Sequence, residues 1–225
     1  MIYNIRMREG VCFIVGAGEA DTLYIERQDG DFVIAADGGY DYCVRDGVAV
    51  DLLVGDMDSS DLSPGNTECI RLPEEKDDTD MRAAINVARD RGYTKFVIFG
   101  GTGGRLSHTI SNIQCLHELA ASGIEAVMVG ERELVTVLCD GSFNFGREYE
   151  GYISVFSLSE TASVTLKGLK YPLDSYPMTN TYPIGTSNEF TGEEATVTVN
   201  GSLLVAIENN TVNRTLFLDK IIRRL

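Results

Sequence analysis

Short apolar runs alternate with helical patterns over the first 140 residues of the chain. Six runs rich in valine, isoleucine, leucine and phenylalanine predict strands, at residues 11–15, 32–36, 52–54, 96–99, 126–129 and 134–138. Several of these runs are almost continuously apolar, which is typical of strands covered on both faces. Apolar positions spaced i, i+3, i+4, i+7 predict a helix over 79–91, and a second helix is predicted over 107–122. This alternation indicates an open, mostly parallel α/β sheet.

The pattern changes near residue 140. From residue 152 onwards we find alternation of period two and expect no helix of useful length. The runs 195–199 and 203–207 flank Asn200-Gly201, a pair that predicts a tight hairpin. The sequence therefore predicts two domains, an α/β domain over 1–140 and an all-β domain over 141–225, the second a sandwich or a barrel-like fold.

Composition narrows the range of partners. The chain of 225 residues carries a net charge of −15, which disfavours nucleic acid and anionic membranes as partners. No apolar stretch approaches the ~20 residues that span a bilayer, and we expect a cytoplasmic protein. The five cysteines are scattered and form no C-x-x-C pair, so we interpret them as core residues in a reducing compartment and expect no zinc site.

Polar motifs follow three of the predicted strands. Asp37-Gly38-Gly39 comes after 32–36, Gly55-Asp56-Met57-Asp58-Ser59 after 52–54, and Gly100-Gly101 after 96–99. Ligands of an open parallel sheet bind beyond the carboxyl ends of its strands, so these motifs point at one crevice. Asp56 and Asp58 are two apart, and a hard cation such as magnesium relieves the repulsion of such a pair.

Two further clusters favour nucleotide chemistry. In Lys76-Asp77-Asp78-Thr79-Asp80, Asp77 or Thr79 is a candidate helix cap, whereas Asp80 is the carboxylate expected to face the crevice. In 100–105, glycine amides and Arg105 suit phosphate at the start of the next helix, where His108 and Asn112 share a face. Gly16-Ala17-Gly18 is only half of a dinucleotide fingerprint, because position 21 is an aspartate, and this disfavours a dehydrogenase.

The order and spacing of these motifs resemble the thiamine pyrophosphokinase family. The resemblance runs through 36–39, 55–59, 76–80 and 100–108, and extends to Gly185-Thr186-Ser187-Asn188-Glu189-Phe190 in the β-rich half. It implies transfer of a pyrophosphoryl group from ATP to the hydroxyl of thiamine, which gives thiamine diphosphate and AMP. It also implies a homodimer with active sites near the subunit interface.

The resemblance also implies residue roles. Asp56, Asp58 and Asp80 correspond to the magnesium-binding and catalytic carboxylates. It places Asp37, Lys76, Thr79, Arg105 and His108 on the ATP side. We add as further candidates for ATP binding the neighbouring residues Gly38, Asp77, Gly103, Gly104 and Asn112. Ser187 and Asn188 correspond to the thiamine side, and Tyr182 and Phe190 are candidates for stacking because the chain has no tryptophan. The chain departs from the family at Ser107, where the family often has aspartate.

Two other functions use the same residues. A magnesium-dependent phosphotransferase acting on another small alcohol would keep the metal and phosphate residues and change the β-domain pocket. A nucleotide-binding protein without catalysis would explain the fold but not the acidic residues at three strand ends. AMP as a product would distinguish pyrophosphoryl transfer from ordinary kinase chemistry, which releases ADP.

Overall fold

The computed structural model describes residues 7–56, 67–73 and 78–222. The chain forms two compact units, one of Met1–Cys115 with Met128–Glu131 and the other of Leu116–Val127 with Arg132–Leu225. The elements from the start of the described chain to residue 129 are β1 (Cys12–Val15), β2 (Phe32–Ala36), α1 (Gly39–Arg45), β3 (Leu52–Gly55), β4 (Glu68–Arg71), α2 (Asp80–Asp90), β5 (Lys95–Phe99), α3 (Leu106–Ala121) and β6 (Glu125–Val129). The elements that follow are β7 (Glu133–Phe145), β8 (Tyr152–Ser157), β9 (Thr161–Lys167), β10 (Leu173–Thr179), β11 (Asn188–Glu189), β12 (Ala195–Glu208) and α4 (Thr211–Ile222).

The first unit is built on a parallel sheet in the order β5-β1-β2-β3-β4. Strands β1, β2, β3 and β5 coincide with apolar runs of the sequence and are almost wholly buried. Strand β4 was not predicted, because it forms the edge of this sheet in the described part of the chain and three of its four residues are exposed. The chain leaves β1 towards β2 and returns to β5 on the other side of β1, so a topological switch point lies between β1 and β5.

Helix α2 confirms the predicted period and its start. Met81, Ala84, Ile85 and Ala88 are its buried residues. The Thr79 hydroxyl accepts a hydrogen bond from the Arg82 amide at 3.2 Å, which caps the helix. The helix is followed by Gly92 with a φ of 91°, a left-handed conformation common beyond helix ends.

The loops after β1 and β5 are joined backbone to backbone. The Gly18 amide donates to the Gly100 carbonyl at 2.9 Å, and the Glu19 amide donates to the Thr102 carbonyl at 2.9 Å. A Cβ placed on Gly100, whose φ is 61°, would lie 2.2 Å from the Gly16 oxygen. The two loops can therefore approach this closely only because glycine occupies both sides of the contact.

The second unit is organised around the antiparallel pair of β7 and β12, which runs from one end of each strand to the other. The far edge of β12 is shared, because its first half pairs with β9 and its second half pairs with β8. The predicted hairpin at Asn200-Gly201 is wrong, since both predicted strands belong to the single strand β12. Asn200 and Gly201 instead lie in a bulge opposite Asp140, and the Gly201 amide donates to Asp140 Oδ1 at 2.7 Å.

Bulges and hairpin turns use the same residue types, since both need left-handed backbone. Gly201 has a φ of 115°, and Asp140 on the opposite strand has a φ of 43°. The bulge bends β12 at the point where its partner changes from β9 to β8. The prediction failed because residue type alone does not distinguish a turn that reverses the chain from a bulge that bends it.

The expectation that no helix follows residue 152 is also wrong. Helix α4 spans Thr211–Ile222, and the Asn210 side chain caps it by accepting from the Asn213 amide at 2.8 Å. Asn213 is fully buried and its side-chain amide bonds to the backbone of Glu150 and Glu208. A buried polar residue on the inner face disrupts the apolar period, which concealed the helix. The predicted fold class is confirmed in its main part, a parallel sheet followed by a β-rich domain.

None of the five cysteines, all of which lie in the described residues, forms a disulfide bond. Cys12, Cys43 and Cys115 are buried as expected, whereas Cys139 is half-buried and Cys69 is exposed. Burial raises the pKa of Cys43 to about 12 and raises the pKa of Cys12 as well, so both remain thiols at neutral pH. No helix in the described ranges is long and apolar enough to cross a membrane.

We expect Gly100→Ala to destabilise the protein more than Gly104→Ala does, by about 2 kcal/mol or more. Both glycines have positive φ values, 61° and 59°, so both variants incur the left-handed penalty of about 1–2 kcal/mol. Only at Gly100 would the added Cβ meet backbone, since no atom of the described residues lies within 4 Å of a Cβ at Gly104. Urea unfolding of the two variants checks this, and equal losses would contradict the steric role of the contact.

We expect Asp140→Ala to lower the free energy of unfolding by about 1–2 kcal/mol, whereas Asp140→Asn leaves it nearly unchanged. The alanine loses the hydrogen bond to Gly201 and tolerates the positive φ poorly, while asparagine keeps both properties. Urea unfolding of the two variants provides the measurement. A similar loss in both would indicate that the negative charge matters and not the bulge geometry.

Candidate functional site

A cleft of about 520 Å³ lies in the first unit, at the switch point of the parallel sheet. Its walls come from the segments that follow β1, β2 and β5 and from the starts of α2 and α3. The residues that line it are Gly16, Ala17, Gly18, Ala36, Asp37, Asp78, Thr79, Asp80, Met81, Gly100, Gly101, Gly103, Gly104, Arg105, His108 and Asn112. A cleft in this position is where open α/β sheets bind ligands.

Much of the predicted ATP side comes together in this cleft. The predicted residues that line it are Asp37, Thr79, Asp80, Gly103, Gly104, Arg105, His108 and Asn112. Gly38 lies next to Asp37 at the start of α1, and Asp56 directly follows β3, but neither is part of the lining. Asp58, Lys76 and Asp77 lie outside the described residues. Ser187 and Asn188 belong to the second unit.

Asp37 is the carboxylate of the cleft whose environment is most unusual. It follows β2 with a φ of 50°, and its amide donates to the Val54 carbonyl of β3 at 2.9 Å. A Cβ on Gly55 would lie only 3.2 Å from the Asp37 Cα, so Gly55 lets the ends of β2 and β3 lie close together. The Asp37 Oδ1 atom is buried and has no hydrogen-bond partner within the described residues. A buried acceptor without a donor is costly, and a bound cation or ligand donor would satisfy it.

Another wall of the cleft, formed by 103–105 and the start of α3, suits an anion. Gly103 and Gly104 adopt left-handed backbone, with φ values of 78° and 59°, immediately before α3 begins. Arg105, just before α3, and His108, in the first turn of α3, line this wall and have exposed side chains. Amides at the start of a helix, together with a guanidinium group, form a common arrangement for binding phosphate.

Thr79 and Asn112 support this geometry through bonds to backbone. The Thr79 hydroxyl is engaged as the cap of α2, and it places Asp80 in the first turn beside Asp78. The buried Asn112 donates from Nδ2 to the Gly101 carbonyl at 2.7 Å, which ties α3 to the loop after β5. Both side chains line the cleft and also fix the segments that form it.

Sequence analysis gave no role to several residues of the cleft. In the sequence, Asp78 stands out only as part of the acidic cluster 76–80. Gly16 and Gly18 stand out only as half of a dinucleotide fingerprint. Their position directly after β1 was the available signal, because β1 is adjacent to the switch point. Ala17 and Met81 carried no signal, since apolar lining residues are indistinguishable in sequence from core residues, and Ala36 appeared only as the first residue of the motif 36–39.

In the second unit, Asn188 is engaged with backbone. Its Oδ1 accepts from the amides of Tyr171 and Glu189, both at 2.9 Å, and its Nδ2 donates to the Tyr171 carbonyl at 2.7 Å. Ser187 has a φ of 55° and an exposed side chain, and its amide donates to Ser154 Oγ. Of the two stacking candidates, Tyr182 is 64% exposed, whereas Phe190 packs against other aromatic rings of this unit.

Two protein-family models match the chain. Residues 26–128 match the thiamin pyrophosphokinase catalytic domain, and residues 142–204 match the thiamin pyrophosphokinase vitamin B1 binding domain. Together the two matches cover about three quarters of the chain.

Individual relatives agree with these models. Thiamine pyrophosphokinase of Bacillus subtilis is 30% identical over 137 residues, which span 60% of this chain and 64% of that protein. Thiamin pyrophosphokinase 1 of Caenorhabditis elegans is 25% identical over 171 residues, 70% of this chain and 69% of that protein. The solved structure of the Enterococcus faecalis thiamin pyrophosphokinase family protein is 27% identical, with a TM-score of 0.75 over 90% of this chain and all of that chain. That of the Bacillus subtilis enzyme has a TM-score of 0.78 at 24% identity, over 89% of this chain and 99% of that chain. With both domain models matched in order, the chain belongs to the thiamin pyrophosphokinase family.

Proposed function

We propose that this protein transfers the pyrophosphoryl group of ATP to the hydroxyl of thiamine, which yields thiamine diphosphate and AMP. The observation that carries the proposal is the convergence of acidic and phosphate-binding groups in one cleft at the switch point of the sheet. Asp37, Asp78 and Asp80 line the same cleft as Gly103, Gly104 and Arg105. Family membership supplies the identity of the substrates.

The polyphosphate of ATP lies against the wall formed by 100–105. The Gly103 and Gly104 amides approach it closely because neither residue has a side chain, and the Arg105 guanidinium group adds a forked donor to phosphate oxygens. His108, one turn into α3, donates to an adjacent oxygen. The attacked β-phosphorus is surrounded by anionic oxygens, so neutralising charge and holding the acceptor in line are the main tasks of the site.

The residues of the cleft fit magnesium. The buried, unpartnered Oδ1 of Asp37 and the nearby carboxylates of Asp78 and Asp80 are hard oxygen donors. The described residues contain no group of three or more side chains ready to enclose a metal. Magnesium usually binds through one or two carboxylates and takes its other ligands from phosphates and water. Asp56, Asp58 and Asp80 are the residues we propose to hold it, and when bound it would neutralise phosphate charge.

The acidic wall has a second use in the reaction. Asp80 lies in the first turn of α2, where we propose that it orients the thiamine hydroxyl and accepts its proton as the bond to phosphorus forms. Thiamine carries a cationic thiazolium ring, which a mostly acidic pocket attracts and a mostly basic pocket would repel. The excess of acidic residues in 37–80, thirteen against three basic ones, therefore favours the acceptor as well as the metal.

We assign ATP and metal binding to a catalytic domain over 1–140 and thiamine binding to a domain over 141–225. Within the second domain Ser187 is the residue proposed to contact thiamine, since its side chain is exposed at a left-handed position. Asn188 serves the same segment indirectly by holding Tyr171. The exposed Tyr152, Tyr171 and Tyr182 of this unit support a homodimer, because aromatic side chains are enriched at interfaces.

A product assay tests the proposed reaction. Purified protein incubated with magnesium, ATP and thiamine is expected to form AMP and thiamine diphosphate in equal amounts, and to form neither when magnesium is chelated. The nucleotides and the thiamine species are separated by chromatography and quantified. ADP with thiamine monophosphate would replace the proposed reaction by ordinary kinase chemistry. Absence of turnover would reject thiamine as the acceptor.

We expect Asp56→Asn to lower kcat at least ~100-fold while the protein remains folded, because the variant loses a carboxylate proposed to hold magnesium among the phosphates. Asp90→Asn is the matched control, since it makes the same chemical change at the exposed end of α2. Steady-state rates at ordinary and raised magnesium provide the measurement. A normal rate for Asp56→Asn at ordinary magnesium would remove Asp56 from the metal site.

A further inference from the structure

Glu19, in the loop after β1, packs against the loop 100–105 that is proposed to receive phosphate, although no role has been assigned to it. Its side chain is packed on Gly103 so closely that a Cβ on that glycine would lie 2.6 Å from three Glu19 carbons. Its Oε1 accepts a long hydrogen bond, 3.4 Å, from the Gly104 amide. A negatively charged group therefore sits on a donor of the wall that would otherwise face an anion.

The backbone around Glu19 is held from both sides. The Glu19 amide donates to the Thr102 carbonyl, as described above. On the other side, Arg45 at the end of α1 donates to the Ala20 carbonyl at 3.1 Å and to the Asp21 carbonyl. Asp46 pairs with Arg45 at 2.7 Å and accepts from the Leu23 amide at 2.7 Å. These contacts fix the backbone of 19–23, which places the Glu19 side chain beside Gly103.

We propose that Glu19 is a specificity-determining residue that disfavours polyphosphate not neutralised by a cation. This inference rests on the proposed function of the cleft. An incoming phosphate must displace the Glu19 carboxylate from the Gly104 amide or approach it closely, and both like-charge contact and competition for the donor weaken binding. A cation on the phosphates reduces that repulsion, so the residue selects the metal-bound form of the nucleotide.

If the role of Glu19 were purely structural, any side chain that packs on Gly103 and accepts a hydrogen bond from the Gly104 amide would serve. Glutamine at position 19 preserves the size and the acceptor and removes the charge. Glu19→Gln therefore separates the two roles, because only the proposed role predicts a change in anion affinity. Glu26→Gln is the matched control, since Glu26 is an exposed glutamate of the same unit that, in the described part of the chain, makes no hydrogen bond to Gly103 or Gly104.

The experiment measures binding of inorganic tripolyphosphate by calorimetry to the wild-type protein, Glu19→Gln and Glu26→Gln. Without divalent metal and at low salt, we expect Glu19→Gln to bind tripolyphosphate roughly three- to tenfold more tightly than wild type, and Glu26→Gln to stay within about twofold. The gain in Glu19→Gln is expected to shrink when excess magnesium is added and when ionic strength is raised.

Several results would overturn the inference. Equal affinity of wild type and Glu19→Gln for metal-free tripolyphosphate would reject it while leaving the proposed function intact. Weaker binding by Glu19→Gln would identify Glu19 as a supporting residue and not as a repulsive one. If neither protein bound tripolyphosphate with or without magnesium, the inference would fail together with the phosphate site of the proposed function. Thiamine turnover takes no part in the measurement, so an incorrect acceptor would not affect its outcome.

Discussion

The cleft depends on one backbone contact, the crossing of the loops that follow β1 and β5. Because Gly16, Gly18 and Gly100 have no side chains, the backbones of the two loops meet at hydrogen-bonding distance. A Cβ at any of these positions would push the loops apart. The contact lies at the switch point, where an open sheet would otherwise leave a gap between diverging loops. Because backbone bonds from Gly18 and Glu19 and the Asn112 side chain hold the loop after β5, its amides at Gly103 and Gly104 are oriented before a ligand arrives. Preorganised donors of this kind are worth more than flexible ones, since little reorganisation accompanies binding.

The electrostatics of the cleft are then set by opposing demands. A polyphosphate needs positive charge, yet the lining contains Asp37, Asp78 and Asp80, and Glu19 lies against Gly103. Arg105 and a few amides do not offset so many carboxylates by themselves, and the chain as a whole carries a charge of −15. The divalent cation proposed above would resolve the conflict, because carboxylates that repel the phosphates would become ligands of a metal that the phosphates share. The same carboxylates then remain favourable to a cationic acceptor. The acidic charge of the protein is therefore compatible with ATP binding, provided that metal and nucleotide bind together.

Buried parallel strands were predictable from sequence because a strand covered on both faces must be apolar throughout, and no other short element has that requirement. Edge strand β4 and helix α1 are too short or too exposed to satisfy any such rule. In the second unit, Asn200-Gly201 was misread because a bulge and a turn both need left-handed backbone, and only the pairing of β12 along β7 distinguishes them. Helix α4 was missed because Asn213 is polar and buried, its amide serving the backbone of Glu150 and Glu208. Charged and glycine residues at strand ends predicted much of the cleft lining, whereas its apolar residues gave no signal.

The segment around Asn188 illustrates why a motif locates a site more reliably than it assigns a role. Asn188 is buried, and its amide group bonds to both polar backbone groups of Tyr171. Losing this side chain would leave the part-buried amide and carbonyl of Tyr171 without the partner that each has here, a cost that any family using the same loop shape would have to meet. The neighbouring Ser187 makes no comparable demand on the fold, since its side chain is exposed and, within the described residues, its hydrogen bond is the one from its amide to Ser154 Oγ. Adjacent residues of one motif can thus be required for different reasons, one to hold the loop and the other to meet a ligand. Hydrogen-bond partners, which sequence does not reveal, are what separate the two.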